Sequence, residues 1–319
     1  MLDDRKGSVG QAKGVAEALG ERMRVVEKQL VYNRWGGLPN WLRGRSLFGI
    51  DKAKSDNIDK DWPEVVMSTS RRTVPVARYI RKKSQNKTKI VQLMYPDGGV
   101  GLREMAFAAV PQHDEAKKLA PSNVLKIVGA PTRIFPEVLK REKARWEKEF
   151  ADLPKPLTAV IVGGAIKGKE WPLENAENLA RKVRQIWQTV GGSILITTSR
   201  RTGEKAQKLI VDELKGIPAY TYMWGEKKEN PLLGFYACAE RIITTADSVS
   251  MCSEACGTGV PVLLFVGKNW LGKKHLKFAQ SLTDGGYAVG IDDEKALDFK
   301  PRGTLNCAYE IAEAILQLK

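Results

Sequence analysis

Arg241-Ile-Ile-Thr-Thr-Ala-Asp247-Ser248-Val-Ser250-Met251-Cys-Ser253-Glu254-Ala-Cys-Gly257-Thr-Gly259-Val-Pro261-Val262 reads as a strand, a polar turn, a short helix and a second strand. The β-branched run ends at a cluster of capping residues. Asp247, Ser248 and Ser250 can cap the helix, leaving free amide donors at its positive dipole end. That environment suits a diphosphate. Glu254 lies one turn further in, where a carboxylate can accept both hydroxyls of a ribose. The plainer alternative is that Glu254 is a solvated helix residue.

The same alternation of short apolar run and helix recurs along the chain. Strands are predicted at Glu64 to Ser68, Lys89 to Leu93, Ala106 to Val110, Thr158 to Val162, Ser193 to Thr197, Arg241 to Thr245 and Val260 to Val266. Alternation of this kind predicts an α/β protein with parallel sheets wrapped by helices. Glu137 to Phe150 reads as a charged amphipathic helix, and the prolines of Ala151-Asp-Leu-Pro154-Lys-Pro156 prevent its continuation. The domain boundary is expected there, giving 1–150 and 151–319. Each half is long enough to bury its own core. The last segment, Leu305 to Leu318, carries Ala308, Ile311, Ala312 and Ile315 on one helical face, suited to pack back on the first domain.

Thr69-Ser70-Arg71-Arg72-Thr73 reappears as Thr198-Ser199-Arg200-Arg201-Thr202, each after a predicted strand and before a helix. The repeat predicts two doubly wound Rossmann-like domains facing a central cleft, each placing two guanidiniums and three hydroxyls at the carboxyl edge of its sheet. The alternative is that Ser and Thr cap helices beside solvated arginines.

Gly163-Gly164-Ala165-Ile166-Lys167-Gly168-Lys169-Glu170 has the glycines and lysine of a P-loop. It has Glu170 where Ser or Thr must bind magnesium, and Pro172 delays the helix. What remains is a strand end that lets a ligand approach the backbone closely. No G-x-G-x-x-G occurs, since Gly99-Val-Gly101 is followed by Glu104, so a nicotinamide cofactor is not supported. His113 and Asp114 follow a predicted strand of the first domain. There an imidazole could deprotonate an acceptor hydroxyl with a carboxylate orienting it, Asp97 being a weaker candidate; a structural histidine is the alternative.

In 319 residues, 43% hydrophobic and 28% charged, the net charge is +15. This excess attracts phosphates or an anionic surface and names no single partner. No recognisable nucleic-acid reading module accompanies it, so nucleic acid is not expected as a partner. No apolar stretch is long enough to span a bilayer and Met1 to Gly7 has no secretory h-region, so a cytoplasmic location is expected. The four cysteines read as buried thiols rather than as a zinc site. Tyr32 to Ile50 combines Arg34, Arg43 and Arg45 with Trp35, Trp41 and Phe48 and contains no acid, and Lys268 to Phe278 repeats the mixture. Both suit the inner face of an anionic membrane, peripherally bound, with a lipid-linked acceptor; a loop packed on its own domain is the alternative.

The strand, Asp/Ser turn, S-x-x-x-E-A and G-V-P-V pattern resembles the donor nucleotide site of GT-B glycosyltransferases, in which the glutamate holds ribose. Nearly the whole chain resembles the mitochondrial fission "elongated mitochondria" family. The carriers are Asp4 to Gly7 with Gln11, Ser70 to Thr73, Pro111-Gln112-His113-Asp114, Gly129-Ala130-Pro131, Gly163-Gly164, Ser199 to Thr202 and Asp247 to Glu254. The resemblance implies a GT-B-like fold and leaves catalysis open. Family members usually carry a complete first strand before the Asp-x-x-Gly turn, whereas only three residues precede Asp4, which leaves open whether the true start lies upstream of Met1.

The expected function is transfer of a sugar from a nucleoside-diphosphate donor in the second domain to an acceptor in the first. Neither metal nor cofactor is required. The donor side comprises Gly163, Gly164, Ser199, Arg200, Arg201, Thr202, Asp247, Ser248, Ser250, Met251 and Glu254. The acceptor side comprises Gly7, Gln11, Ser70, Arg71, Arg72 and Asp97, with His113 and Asp114 catalytic. A non-catalytic membrane-associated interaction protein and a nucleoside-diphosphate-sugar epimerase are the rival readings.

Overall fold

The computed structural model describes residues 1–3, 6–58, 61–94, 100–113 and 123–318. In chain order its elements begin α1 (Lys6–Leu19), α2 (Asn40–Arg43), β1 (Val65–Ser68), α3 (Val74–Lys83), β2 (Lys89–Leu93), β3 (Phe107–Pro111), β4 (Val124–Ile127) and α4 (Pro136–Trp146). Then come β5 (Leu157–Val162), α5 (Leu173–Val190), β6 (Ser193–Thr198), α6 (Glu204–Glu213), β7 (Ala219–Tyr222), α7 (Leu232–Cys238), β8 (Arg241–Thr245) and α8 (Val249–Gly257). The last are β9 (Val262–Phe265), α9 (Lys273–Asp284), β10 (Val289–Gly290) and α10 (Ala308–Leu316). The chain divides into two compact units, Met1–Arg133 with Asn306–Lys319, and Ile134–Leu305.

In the first unit β1 to β4 form an all-parallel sheet in the order β1-β2-β3-β4. Val74, Val76, Ala77 and Ile80 form the buried stripe of α3 and pack with Val66, Ile90, Ala108 and Val110. Met1 to Asp3 run beside β1: the Met1 amine donates to Met67 O (2.9 Å) and Leu2 bridges Gln29 in parallel. Helix α10 buries Ala308, Ile311, Ala312 and Ile315 and packs on α1. The Asn306 side chain holds its approach by accepting from Thr132 N and donating to Thr132 O, both at 3.3 Å.

The second unit is a six-stranded parallel sheet in the order β10-β9-β8-β5-β6-β7. This is the doubly wound order, in which the chain winds outward from β5 through β6 and β7 and then returns to the other side of β5 at β8. β5, β6 and β9 are buried along their whole lengths, as strands covered on both faces must be.

The boundary lies at Arg133/Ile134, not in the proline segment after Phe150. The reason is aromatic packing: Trp146 stacks on Phe150 (5.7 Å), and Phe150 meets Tyr220 (5.1 Å) and Phe235 (5.8 Å). α4 is therefore seated on α7 within the second unit. The prolines end the helical turn without ending the domain. Of the strands, β4, β7 and β10 were not anticipated. Each lies at a sheet edge and is short, with exposed or half-buried positions that interrupt any apolar run.

Candidate functional site

Because all six strands of the second sheet are parallel, the segments following β5, β6, β7, β8 and β9 emerge at one edge. The loops after β5 and β8 meet at the point where the strand order reverses, where ligands bind in such sheets.

Asp247, directly beyond β8, does not cap α8. Its buried carboxylate accepts from the Gly164 amide (3.1 Å) and pairs with the Arg201 guanidinium (2.7 Å). Burial pushes the Asp247 carboxyl above its ordinary value, with Arg201 and the hydrogen bonds from Thr245 and Gly164 opposing the rise. The two glycines serve this packing: a Cβ on Gly163 would lie 2.1 Å from the Asp247 carboxylate, and one on Gly164 would lie 2.1 Å from Arg201 O. The close approach read at Gly163-Gly164 is thus already taken up by the protein's own groups. Arg201 also donates to Ala165 O (3.0 Å). Ser199 and Thr202 shape the turn: Ser199 N donates to Thr202 Oγ1 (3.0 Å), Arg201 N to Ser199 Oγ (3.2 Å), and the Thr202 hydroxyl to Gly163 O. Arg200 is exposed, with neither hydrogen bond nor ion pair among the described residues.

Ser248 is the N-cap of α8, its hydroxyl accepting from Met251 N. The Val249 and Ser250 amides at the helix start have no intrahelical partner and lie in a half-buried segment. Glu254 is half-buried one turn further in. Burial drives its carboxyl up to about 7, restrained by the Tyr236 hydroxyl, which donates to Glu254 Oε2 at 3.4 Å. Near neutrality this carboxyl passes between hydrogen-bond donor and acceptor-only forms.

Two further residues of this edge were missed. Trp224 is exposed just beyond β7, its amide donating to Thr198 Oγ1 at 2.9 Å. His275, in the first turn of α9, is half-buried and feels the Asp247 and Arg201 charges; burial holds its pKa below the ordinary imidazole value. Recognising Trp224 required β7, and His275 carried no motif. The Lys268 to Phe278 segment that supplies His275 does not present Trp270 or Phe278 at the surface, because Trp270 (1% exposed) and Phe278 are in the core. Trp270 Nε1 donates to Gly164 O (3.1 Å), and Asn175 clamps the backbone of Lys268 through both its amide atoms.

In the first unit the repeated turn is engaged by its own fold. Arg71 donates to Gly37 O (2.9 Å), while Arg72 lies 3.7 Å from the buried Asp3 carboxylate and 4.8 Å over the Tyr32 ring. Ser70 is buried beside the Thr73 hydroxyl, which accepts from Ser70 N at 3.1 Å. Gly7 is exposed and Gln11 half-buried on α1, and His113 is buried just beyond β3. Asp97 and Asp114 lie outside the described residues.

The fold is similar to that of three solved proteins. They are a UDP-GlcNAc 2-epimerase from Methanocaldococcus jannaschii (TM-score 0.58, 14% identity, 99% of this chain and 98% of that one), S. aureus MnaA solved with UDP (0.52, 14%, 100% and 96%) and MurG from Acinetobacter baumannii (0.50, 15%, 99% and 98%). The class is therefore that of GT-B-like, Rossmann-type proteins. Within it the chain belongs to the family described as Mitochondrial fission ELM1, which residues 6–318 match. The Mitochondrial fission protein ELM1 of Arabidopsis thaliana is 30% identical over 77% of this chain, and the match spans 62% of that relative's length. An uncharacterized Rickettsia prowazekii protein is 29% identical over 99% of this chain and 96% of its own length. No helix among the described residues is long and apolar enough to cross a membrane.

Proposed function

We propose that the second unit binds a nucleoside-diphosphate sugar and that the protein transfers the sugar to an acceptor held by the first unit. The observation that carries this is the arrangement along α8. Two unpartnered amides at its start precede, by one turn, a half-buried carboxyl that burial holds near 7. In this reading the Val249 and Ser250 amides and Arg200 take the diphosphate. Glu254, once ionised, accepts the ribose hydroxyls, Trp224 stacks on the base, and the neutral His275 meets the sugar. No metal is called for, since helix amides and Arg200 can offset the leaving charge. The acceptor is a lipid-linked one, the class that the basic, tryptophan-rich segment of the first unit favours.

A second reading, nucleotide binding without turnover, is favoured by one observation. Arg71 and Arg72, proposed for the acceptor side, already have structural partners.

Calorimetry with UDP, GDP, ADP and CMP on the wild type and on Glu254→Ala tests the donor site. One nucleotide is expected to bind and, at about 100 times its dissociation constant, to add about 2.7 kcal/mol of stability that Glu254→Ala loses. Affinity is also expected to rise as pH increases through 7, since only the ionised carboxyl accepts from both hydroxyls. A folded protein that binds none of them overturns the donor site. Binding without sugar transfer selects the second reading.

A further inference from the structure

Four of the exposed large apolar side chains fall within one short segment: Trp35 (44% exposed), Trp41 (70%), Leu42 (55%) and Phe48 (52%). The segment leaves the first unit and returns at a single point. Tyr32 and Ile50 form an antiparallel bridge, Asn33 N donates to Gly49 O (3.1 Å), and a Cβ on Gly49 would come 2.9 Å from Gly36 Cα. Residues 34–48 are therefore a closed Ω-loop, a class of loop packed by its own groups and frequently functional.

The loop is organised inside out. At its centre is Arg43, 2% exposed, which donates to Phe48 O (3.1 Å) and Arg72 O (3.0 Å), reaches Gly36 O at 3.4 Å, and lies 5.4 Å over the Tyr32 ring. Arg71 adds a bond to Gly37 O. A loop stabilised only for its own sake would bury Trp41 and Leu42 and leave the arginine in water. Here the cation is spent on backbone carbonyls, and the two apolar neighbours in α2 face solvent.

The rim identifies the occupant. Arg34 is exposed and lies over Trp35 at 4.8 Å, Arg45 is half-exposed and pairs with Glu104 (3.0 Å), and the sequence between Lys28 and Ile50 carries no acid of its own. Tryptophan and arginine together match the headgroup region of an anionic bilayer. The exposed apolar surface, about 400 Å² judged from ordinary aromatic side-chain areas, is half the roughly 800 Å² per partner of a stable protein interface. By contrast, the second basic and aromatic segment, Lys268 to Phe278, buries both its rings.

We propose that the 34–48 Ω-loop seats this protein on anionic phospholipid, with Trp35, Trp41, Leu42 and Phe48 entering the headgroup region and Arg34 on lipid phosphate. The inference is independent of the nucleotide reading, because it rests on the first unit alone. The test is flotation with phosphatidylcholine vesicles with and without phosphatidylglycerol, together with quenching of tryptophan emission by brominated lipid. Wild type is expected to float with the anionic vesicles and to be quenched by brominated lipid. Raising salt from about 0.1 M to about 1 M, which shortens the screening length from about 10 to about 3 Å, should weaken binding. Trp41→Ser with Leu42→Ser should lose at least about tenfold in partition with the melting temperature unchanged. Arg34→Gln should lose about fivefold. Val211→Ser, an exposed apolar residue of the second unit, should change nothing. Failure of wild type to float, flotation without quenching, or full retention by the double variant would overturn the proposal. So would a double variant whose only change is a smaller oligomer, which would make a second copy the occupant.

Discussion

The two Thr-Ser-Arg-Arg-Thr turns are identical in sequence and nearly so in backbone chemistry, yet differ in what their arginines do. In both, the final threonine hydroxyl accepts from the serine amide three residues earlier, Thr73 from Ser70 at 3.1 Å and Thr202 from Ser199 at 3.0 Å. The second arginine in each lies beside a buried aspartate, Arg72 near Asp3 and Arg201 on Asp247. The first arginines part company: Arg71 holds the 34–48 loop through Gly37 O, while Arg200 is exposed. A shared turn thus serves as scaffold in both units, and only the second unit's copy leaves its first guanidinium exposed, without a protein partner among the described residues.

The comparison can be broken most forcefully at the packing that only the second turn has. Gly163→Ala drives a methyl into the Asp247 carboxylate and is expected to cost about 3 kcal/mol in urea unfolding. A near-neutral effect would mean that Asp247 and Arg201 are not locked together. Next in size is the acid of α8. The folded Glu254 carboxyl titrates at about 7 against an ordinary 4.5, so the folded protein keeps a proton that the unfolded chain has released. This contribution is fully present below pH 4.5 and is lost as pH rises through 7, by up to about 3 kcal/mol. Glu254→Gln should remove that fall, and equal pH profiles for the two proteins would refute the raised pKa.

Thr73→Val and Thr202→Val sharpen the likeness, since each removes the buried hydroxyl that a serine amide donates to, Ser70 in a buried turn and Ser199 in a half-buried one. About 2 kcal/mol is expected from each, and values within a few tenths of one another would support equivalent turns. The smallest effects separate the arginines. Arg71→Gln should cost about 1 kcal/mol of stability and leave nucleotide affinity intact, whereas Arg200→Gln should leave the melting temperature unchanged and weaken diphosphate binding about tenfold. The reverse assignment would place the ligand in the first unit.

Much of the fold was legible because parallel strands buried on both faces are written as continuous apolar runs. Leu157 to Val162, ending at Gly163-Gly164, and the Ile194 to Ile196 centre of the strand that ends at the Ser199 turn are of this kind. The helix start at Ser248 was legible from capping chemistry, which is local. The role of Asp247 was not: its side chain turns to a guanidinium and an amide that are distant in sequence, as no cap rule foresees. The domain boundary failed for a similar reason, since Trp146 and Phe150 choose their unit by meeting Tyr220 and Phe235.

Sequence by itself determined the parallel α/β architecture, the repeated turn and the capped helix that carries Glu254. All of these follow from chain-local preferences of backbone and side chain. Tertiary structure alone decided that Gly163 and Gly164 make room for Asp247 and Arg201 and that Arg200, unlike Arg71, is unoccupied. It also decided that Trp41 faces water while Trp270 is in the core. Burial depends on which distant segments arrive at a residue, and a linear pattern of apolar and charged side chains does not encode that arrival.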